Sequence, residues 1–249
     1  MTSDPSSPNT TDLDAFLAAA QVDAEVFELR PDYRALLIAV DGIDPERNDQ
    51  TEATDALVAL AEQSAKQALA DSTVEDLPHV AAWREAYREF GAKPQRTRNS
   101  LEALIRRSEA GMPRVNRLTD IYNAISVIHQ IPLGGEDLSL YQGAPHLKRA
   151  KGDEPFDTVA DGDTVIEHPE VGEVVWCDDA GVTCRRWNWR QGRRTALNEQ
   201  TTSALFILDA LGPLSDEALT TAANELVSHL EQLGPDVRTA RRLMSPSAS

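Results

Sequence analysis

Apolar positions along the chain follow three successive patterns. Early on they fall in two short blocks, residues 25–29 and 34–40. The second contains the unbroken run Ala35-Leu36-Leu37-Ile38-Ala39-Val40 and stops at Asp41-Gly42, and both blocks predict strands. From residue 54 the period lengthens. Residues 54–69 are alanine-rich and residues 77–90 carry Trp83, Tyr87 and Phe90 at i, i+4 and i+7, so both predict helices, the second with one aromatic face and an end at Gly91. Asn99-Ser100-Leu101-Glu102 has the form of a helix start with a reciprocal acid, opening a helix that runs to Gly111. Residues 116–129 predict a further helix, broken by Pro132-Leu133-Gly134-Gly135.

Beyond that break the texture becomes short strands with turn signals, at residues 138–141, 146–149, 164–166, 174–177 and 182–187. Asp161-Gly162-Asp163 and Asp179-Ala180-Gly181 supply turns. Residues 203–211 are continuously apolar, and period alone does not separate strand from buried helix there. Residues 215–233 predict a closing helix with Asp216 and Glu217 in its first turn. Helices, then a β-rich middle, then a helix is an α+β order, not an alternating βαβ one. Residues 1–11 and 244–249 are polar and predict disordered tails.

Composition narrows the classes. The chain has 249 residues and a formal charge of −17, and it has no apolar run near the ~20 residues that a bilayer span needs. No membrane partner and a cytoplasmic, soluble protein are expected. Cys177 and Cys184 are expected to be reduced, buried thiols. The five histidines form no close pair, so no metal is expected. Walker loop, dinucleotide fingerprint and G-x-S-x-G elbow are all missing, so no cofactor is expected.

The charge is unevenly spread. Residues 1–80 hold 17 acids and 4 bases, whereas residues 81–120 hold 9 bases and 5 acids. A second basic stretch, Arg185-Arg186-Trp187-Asn188-Trp189-Arg190-Gln191-Gly192-Arg193-Arg194, has five arginines, no acid and two of the four tryptophans. Guanidinium forks bind phosphates and carboxylates, and indoles stack on bases, so an acidic protein with such a window can present one positive face to a polyanion. As a strand, this window would put Trp187 and Trp189 on one face and Arg185 and Arg186 on opposite faces.

One family has this order of motifs. Arg114-Val115-Asn116-Arg117-Leu118-Thr119-Asp120-Ile121-Tyr122-Asn123, followed by Pro132 and Asp137, resembles the B3/B4 region of the bacterial phenylalanyl-tRNA synthetase β subunit, where the segment reads P-I-N-N-V-V-D-I-T-N before a Q-P-M-H-A-F-D type turn. Thr201-Thr202-Ser203-Ala204-Leu205-Phe206-Ile207-Leu208-Asp209 resembles the family's threonines followed by an apolar strand with an acid near its end. With the helix around Trp83 and the basic window, the chain is similar to freestanding B3/B4 proteins over residues 75 to 230. The resemblance implies a B3/B4-like domain over residues 75–235, with a central β-sheet flanked by helices. Residues 12–75 are then an N-terminal α/β extension packed on it.

In the synthetase this region is an editing site that hydrolyses tyrosine wrongly esterified to the phenylalanine tRNA. By position, Asn123 matches a pocket asparagine, and Asp209 matches a pocket glutamate that recognises the bound amino acid. The resemblance implies catalytic roles for Asn123 and Asp209, and the ability of side-chain amides to orient water or bind a carbonyl adds Asn188 and Gln191 to the expected catalytic set. Substrate contacts are expected for Asn116 and Asp120, which match positions on the same helix of the family, and for Tyr122, Trp187 and Arg190, while the guanidinium forks of Arg185, Arg186, Arg193 and Arg194 are expected to contact nucleic acid. The chain departs from the family at three points. The family histidine after the proline is Gly134, the threonine before the asparagine is Tyr122, and the glycine-rich pocket wall is replaced by residues 187–192. No class II catalytic core is present, so amino-acid activation is not expected. Three functions remain open: a trans-editing deacylase of mis-esterified aminoacyl-tRNA, an RNA- or tRNA-binding module without hydrolysis, and a pocket for an amino acid derivative without tRNA. A DNA partner is not expected.

Overall fold

The computed structural model describes residues 12–47, 51–160 and 162–246. The tail assigned to residues 1–11 lies outside the described residues, as do residues 247–249 of the tail assigned to 244–249 and Asp161 of the first turn. The elements in order are α1 (Leu13–Ala18), β1 (Gln21–Val22), α2 (Ala24–Leu29), β2 (Arg34–Asp41), α3 (Thr51–Ala68), α4 (Pro78–Glu89), α5 (Ser100–Ser108) and α6 (Arg117–Ile128). There follow β3 (Leu133–Asp137), β4 (His146–Arg149), β5 (Phe156–Ala160), β6 (Asp163–Glu167), β7 (Val174–Asp178), β8 (Gly181–Arg185), β9 (Arg190–Gln191), β10 (Ala204–Ala210), α7 (Asp216–Leu230) and β11 (Arg238–Met244).

The fold is α+β and is organised around a four-stranded antiparallel sheet in the order β11-β2-β10-β3. The apolar run of β2 is buried on both sides, which explains its unbroken pattern. Leu36, Ile38 and Val40 face one core with Phe206, Leu208 and the apolar stripes of α3, α5, α6 and α7. Ala35, Leu37 and Ala39 face a second core with Leu205, Ile207, α1, α4 and a five-stranded sheet in the order β1-β4-β7-β8-β9. The segment before residue 75 thus supplies an inner strand of the main sheet. Residues 203–211, which periodicity left open, become β10, because every position of this strand is buried between the two layers.

Side-chain caps start the helices where the sequence indicates. Asn99 Oδ1 accepts from the Glu102 N–H, Asn116 Oδ1 from Thr119 N–H and Ser215 Oγ from Ala218 N–H. Three expectations change. Residues 25–29 form the helix α2, in which Val26 is buried and Leu29 packs alongside it one turn on. Residues 138–141 form a single 3-10 turn, because Asp137 Oδ1 accepts from the Ser139 N–H and closes it. Met244, assigned to the tail, is buried as the last residue of β11.

His79 ties three elements together. Its Nδ1–H donates to the Gln130 carbonyl, which a left-handed Gln130 at the end of α6 turns toward it, and its Nε2 accepts from Trp83 Nε1 and the Leu211 N–H. Both contacts at Nε2 are donors, so the ring is held in one neutral tautomer. Burial lowers its pKa from the usual histidine value to about 4. The imidazole stays neutral in the fold while the unfolded chain protonates below about pH 6.5. Its contribution is therefore whole above that pH and is lost as pH falls toward 4, a difference of about 3 kcal/mol. Urea unfolding at pH 7.5 and 4.5 should show this loss in the wild type and a flatter pH dependence in His79→Gln.

Candidate functional site

A cavity of about 640 Å³ opens where β3, β9 and β10 meet α5, α6 and the turn after β8. Its walls include Tyr122, Asn123, Trp187, Asn188, Gln191 and Asp209. The main-sheet register puts Asp209 opposite Ala35 and Ile207 opposite Gly134, on the face turned to the second sheet. The structure thus brings together the four residues expected to be catalytic and three of the five expected to touch substrate, Tyr122, Trp187 and Arg190.

Asp209 is the electrostatic centre. It is buried at the end of β10, where Tyr33 donates its hydroxyl to Oδ1 at 2.6 Å and Asn188 Nδ2 donates to Oδ2 at 3.3 Å. Asn188 is oriented in turn by Tyr87, whose hydroxyl donates to its Oδ1 at 2.9 Å. Burial pushes the Asp209 carboxyl up to about 7, and the donors only partly offset it. Beside it, Tyr122 donates to Gln191 Oε1, and Gln191 Nε2 donates to the Gly135 carbonyl. A Cβ on Gly134 would lie 3.0 Å from Gln191 Nε2, so the glutamine uses the space that a side chain there would take. The side chain of Asn123 makes no hydrogen bond among the described residues. Glu136 Oε1, Trp176 Nε1 and Trp187 Nε1, in the same lining, are buried without a hydrogen-bond partner among the described residues. Polar atoms left unpaired in a cavity wall mark where a ligand or water bonds.

The turn after β8 overrides the expected strand alternation. Arg186 and Trp187 both have positive φ, 47° and 67°, an uncommon conformation for bulky residues that needs outside support. Support comes from Arg186 N–H to Glu173 Oε1, Trp187 N–H to the Val174 carbonyl and Asn188 N–H to the Arg186 carbonyl. Trp187 therefore drops into the second core, edge-on to Trp83 and Tyr33, where it forms part of the cavity floor. Trp189 stays half-buried under the guanidinium of Arg186, 4.5 Å from the ring centre.

The basic window is committed mostly to the protein itself. Arg185 is buried and bonds Glu173 through two nitrogens and Glu167 through a third. Arg186 pairs with Glu173 and donates to Thr97, Arg193 forks onto Asp157, and Arg194 forks onto Asp178. The acids lie up to 36 residues away from their arginines, so a local charge count does not reveal them. Arg190 alone of the five makes no ion pair among the described residues and stands at the cavity. The other cations on the cavity wall are Arg96, Arg98, Arg106 and Arg107, from the earlier basic stretch. Arg96 and Arg107 are exposed and form no ion pair among the described residues.

Asn116 and Asp120 are not in this cavity. Asn116 caps α6, and Asp120 accepts from the Val115 N–H and Arg114 Nε, so both shape the start of that helix and border a separate depression. Tyr33, Glu136 and the rim arginines went unassigned in the sequence. Only the rim arginines had left a signal there, as the basic stretch before residue 117. Cys184 also lines the cavity, but burial pushes its thiol well above the ordinary value, which leaves it a poor nucleophile. Among the described residues no group of three or more His, Cys, Asp or Glu side chains is placed to hold a metal, and no helix is long and apolar enough to cross a membrane.

A sheet cavity lined by Asn123 of α6 and Asp209 of β10 sits in an α+β fold. The B3/4 domain family matches residues 82–234, and the chain belongs to that family. Among solved structures it is similar to an N-terminal fragment of the phenylalanyl-tRNA synthetase β subunit from Pyrococcus horikoshii, with 11% identity over 91% of this chain and a TM-score of 0.45. The chain spans about half, 54%, of that structure's length. No curated protein matches it.

Two outcomes follow from the geometry. A carboxyl held near 7 in the fold and near 3.8 in the unfolded chain weighs against folding progressively as pH rises from about 3.8, and in full above about 7. Asp209→Asn should therefore gain about 4 kcal/mol at pH 8.5, roughly 1–2 kcal/mol at pH 5 and nothing near pH 3, as read by urea unfolding. Arg185→Ala takes the bidentate partner from buried Glu173, leaving it only the longer Arg186 contact and backbone N–H donors, and should cost about 3 kcal/mol in the same assay.

Proposed function

We propose that the protein is a freestanding B3/4 hydrolase that clears mis-esterified aminoacyl-tRNA in trans, in the cytoplasm where such tRNAs are made. The observation that carries this reading is one cavity holding Asn123, Asn188, Gln191 and Asp209 beneath arginines that have no acidic partner, on a chain of net charge −17. A phosphate-bearing end fits the rim formed by Arg96, Arg107 and Arg190, and the aminoacyl group fits the polar interior. Asp209 takes the α-ammonium, a cation that stabilises its ionised form. The unpaired amide of Asn123 donates to the ester carbonyl as negative charge develops on its oxygen. Gln191 and Asn188 orient water. The water oxygen adds to the carbonyl carbon, the ester C–O bond breaks, and the ribose oxygen leaves with the proton. The products are a free amino acid and an uncharged tRNA end. No side-chain nucleophile is required, because aminoacyl esters are already activated.

The internal pairing of Arg185, Arg186, Arg193 and Arg194 favours one competing reading, an amino acid derivative bound without tRNA. A panel of mischarged tRNAs and matching small aminoacyl esters separates the two. Release from tRNA much faster than from the small esters supports editing, equal rates support the small-ligand reading, and no release from either eliminates both hydrolytic readings. Asn123→Ala should lower kcat by about 10²–10³, the loss typical of one oxyanion donor. Arg96→Ala and Arg107→Ala should instead weaken tRNA binding and flatten its log–log salt dependence by about one unit for each phosphate that the variant no longer neutralises. Arg193→Ala should do neither.

A further inference from the structure

The cavity contains a second acid that the hydrolytic reading leaves unused. Glu136, on β3, is only 2% exposed. The residue lines the cavity; its Oε2 accepts the Tyr141 hydroxyl, while Oε1 is buried without a hydrogen-bond partner among the described residues. The hydroxyl of Thr183 is close enough to favour the ionised form but makes no hydrogen bond. Burial raises the Glu136 carboxyl to about 7. The nearest base acting on it, Arg194, is already forked onto Asp178.

Register separates the two acids. Glu136 lies opposite Leu205 and Gly134 opposite Ile207, so Glu136, Leu205, Ile207 and Asp209 project from one face of the sheet. Four residues of β10 from Leu205 to Asp209 rise about 14 Å. The carboxylates thus stand toward opposite ends of the cavity, with Ile207 between them and Leu133, Trp176 and Trp187 in the apolar part of the wall. Among the described residues neither carboxylate has a basic hydrogen-bond partner. A buried carboxylate kept without a cation costs stability, and such a group in a cavity points to a ligand that supplies the missing charge.

We propose that the cavity selects an aminoacyl group whose side chain ends in a second ammonium, with the α-ammonium on Asp209 and the side-chain ammonium on Glu136. This rests on the reading of the cavity as an aminoacyl-ester site. A lysine-like stem of about four carbons lies along the apolar wall and carries a compact cation to its far end. A hydroxylated side chain satisfies the free lone pair of Glu136 but leaves its charge uncompensated. An apolar one satisfies neither.

The test is calorimetric titration of the full chain, at about pH 8, with non-hydrolysable 3′-amide analogues of aminoacyl-adenosine bearing lysine, ornithine, tyrosine or leucine. The lysine or ornithine analogue should bind at least about tenfold more tightly than the leucine one, the low end for a charge-assisted hydrogen bond. Glu136→Gln should abolish that preference and leave the leucine analogue unchanged. Should that variant fold poorly, carbon-detected NMR of the wild type gives the same answer, since the Glu136 carboxyl should titrate at lower pH with the lysine analogue and not with the leucine one. Tightest binding of tyrosine, or equal binding of all four, overturns the proposal while leaving an aminoacyl site in place. Binding of none removes the aminoacyl-ester reading and this proposal with it.

Discussion

The pairing of β2 with β10 is the constraint on which the other features rest. Seven consecutive residue pairs join Arg34–Val40 to Ala204–Ala210, so one end of the chain is locked to a strand nearly 170 residues later. Both strands are buried on both faces, and a slip of one residue would turn every side chain to the wrong layer. The same register brings Ala35 opposite Asp209 and carries Tyr33, two residues before it, within 2.6 Å of the carboxylate. Packing that holds the sheet together therefore also sets the polarity of the cavity.

Around that frame, stability and chemistry pull in opposite directions. His79 is held neutral by two donors and one acceptor and favours the fold at neutral pH. Asp209 and Glu136 are held away from water without cations, so their ionised forms disfavour it. The positive φ of Arg186 and Trp187 adds local strain, offset by the Glu173 and Val174 contacts and by burial of the indole. Carboxylates without a cationic partner among the described residues and a strained turn occur together at the cavity.

The arginine-rich window shows how charge pattern misleads when read locally. Its lack of acids suggested a free cationic face. In the fold, Glu167, Glu173, Asp157 and Asp178 come in from neighbouring strands and turns and neutralise four of the five arginines. These pairs brace the five-stranded sheet and the β5–β6 hairpin. The cations left at the cavity come mainly from residues 96–107, where α5 and the loop before it carry exposed guanidiniums around the opening.

Features governed by near neighbours were legible in the sequence. Local pattern placed α3, α4, α6 and α7, a cap residue located the start of α5, and the unbroken apolar run identified β2. The positions of Asn123 and Asp209 carried the family resemblance, and both line one cavity. Features that depend on distant partners were decided only by the tertiary structure. Residues 203–211 became a strand because layers form on both sides of them. Trp187 and Trp189 part company because a turn held by Glu173 reverses the chain between them. Glu136 is a cavity acid because β3 pairs with β10 in one register. Periodicity reports what each stretch of chain buries, but the partner of a charge is set by contacts across the fold, and these have no signature in the residues beside it.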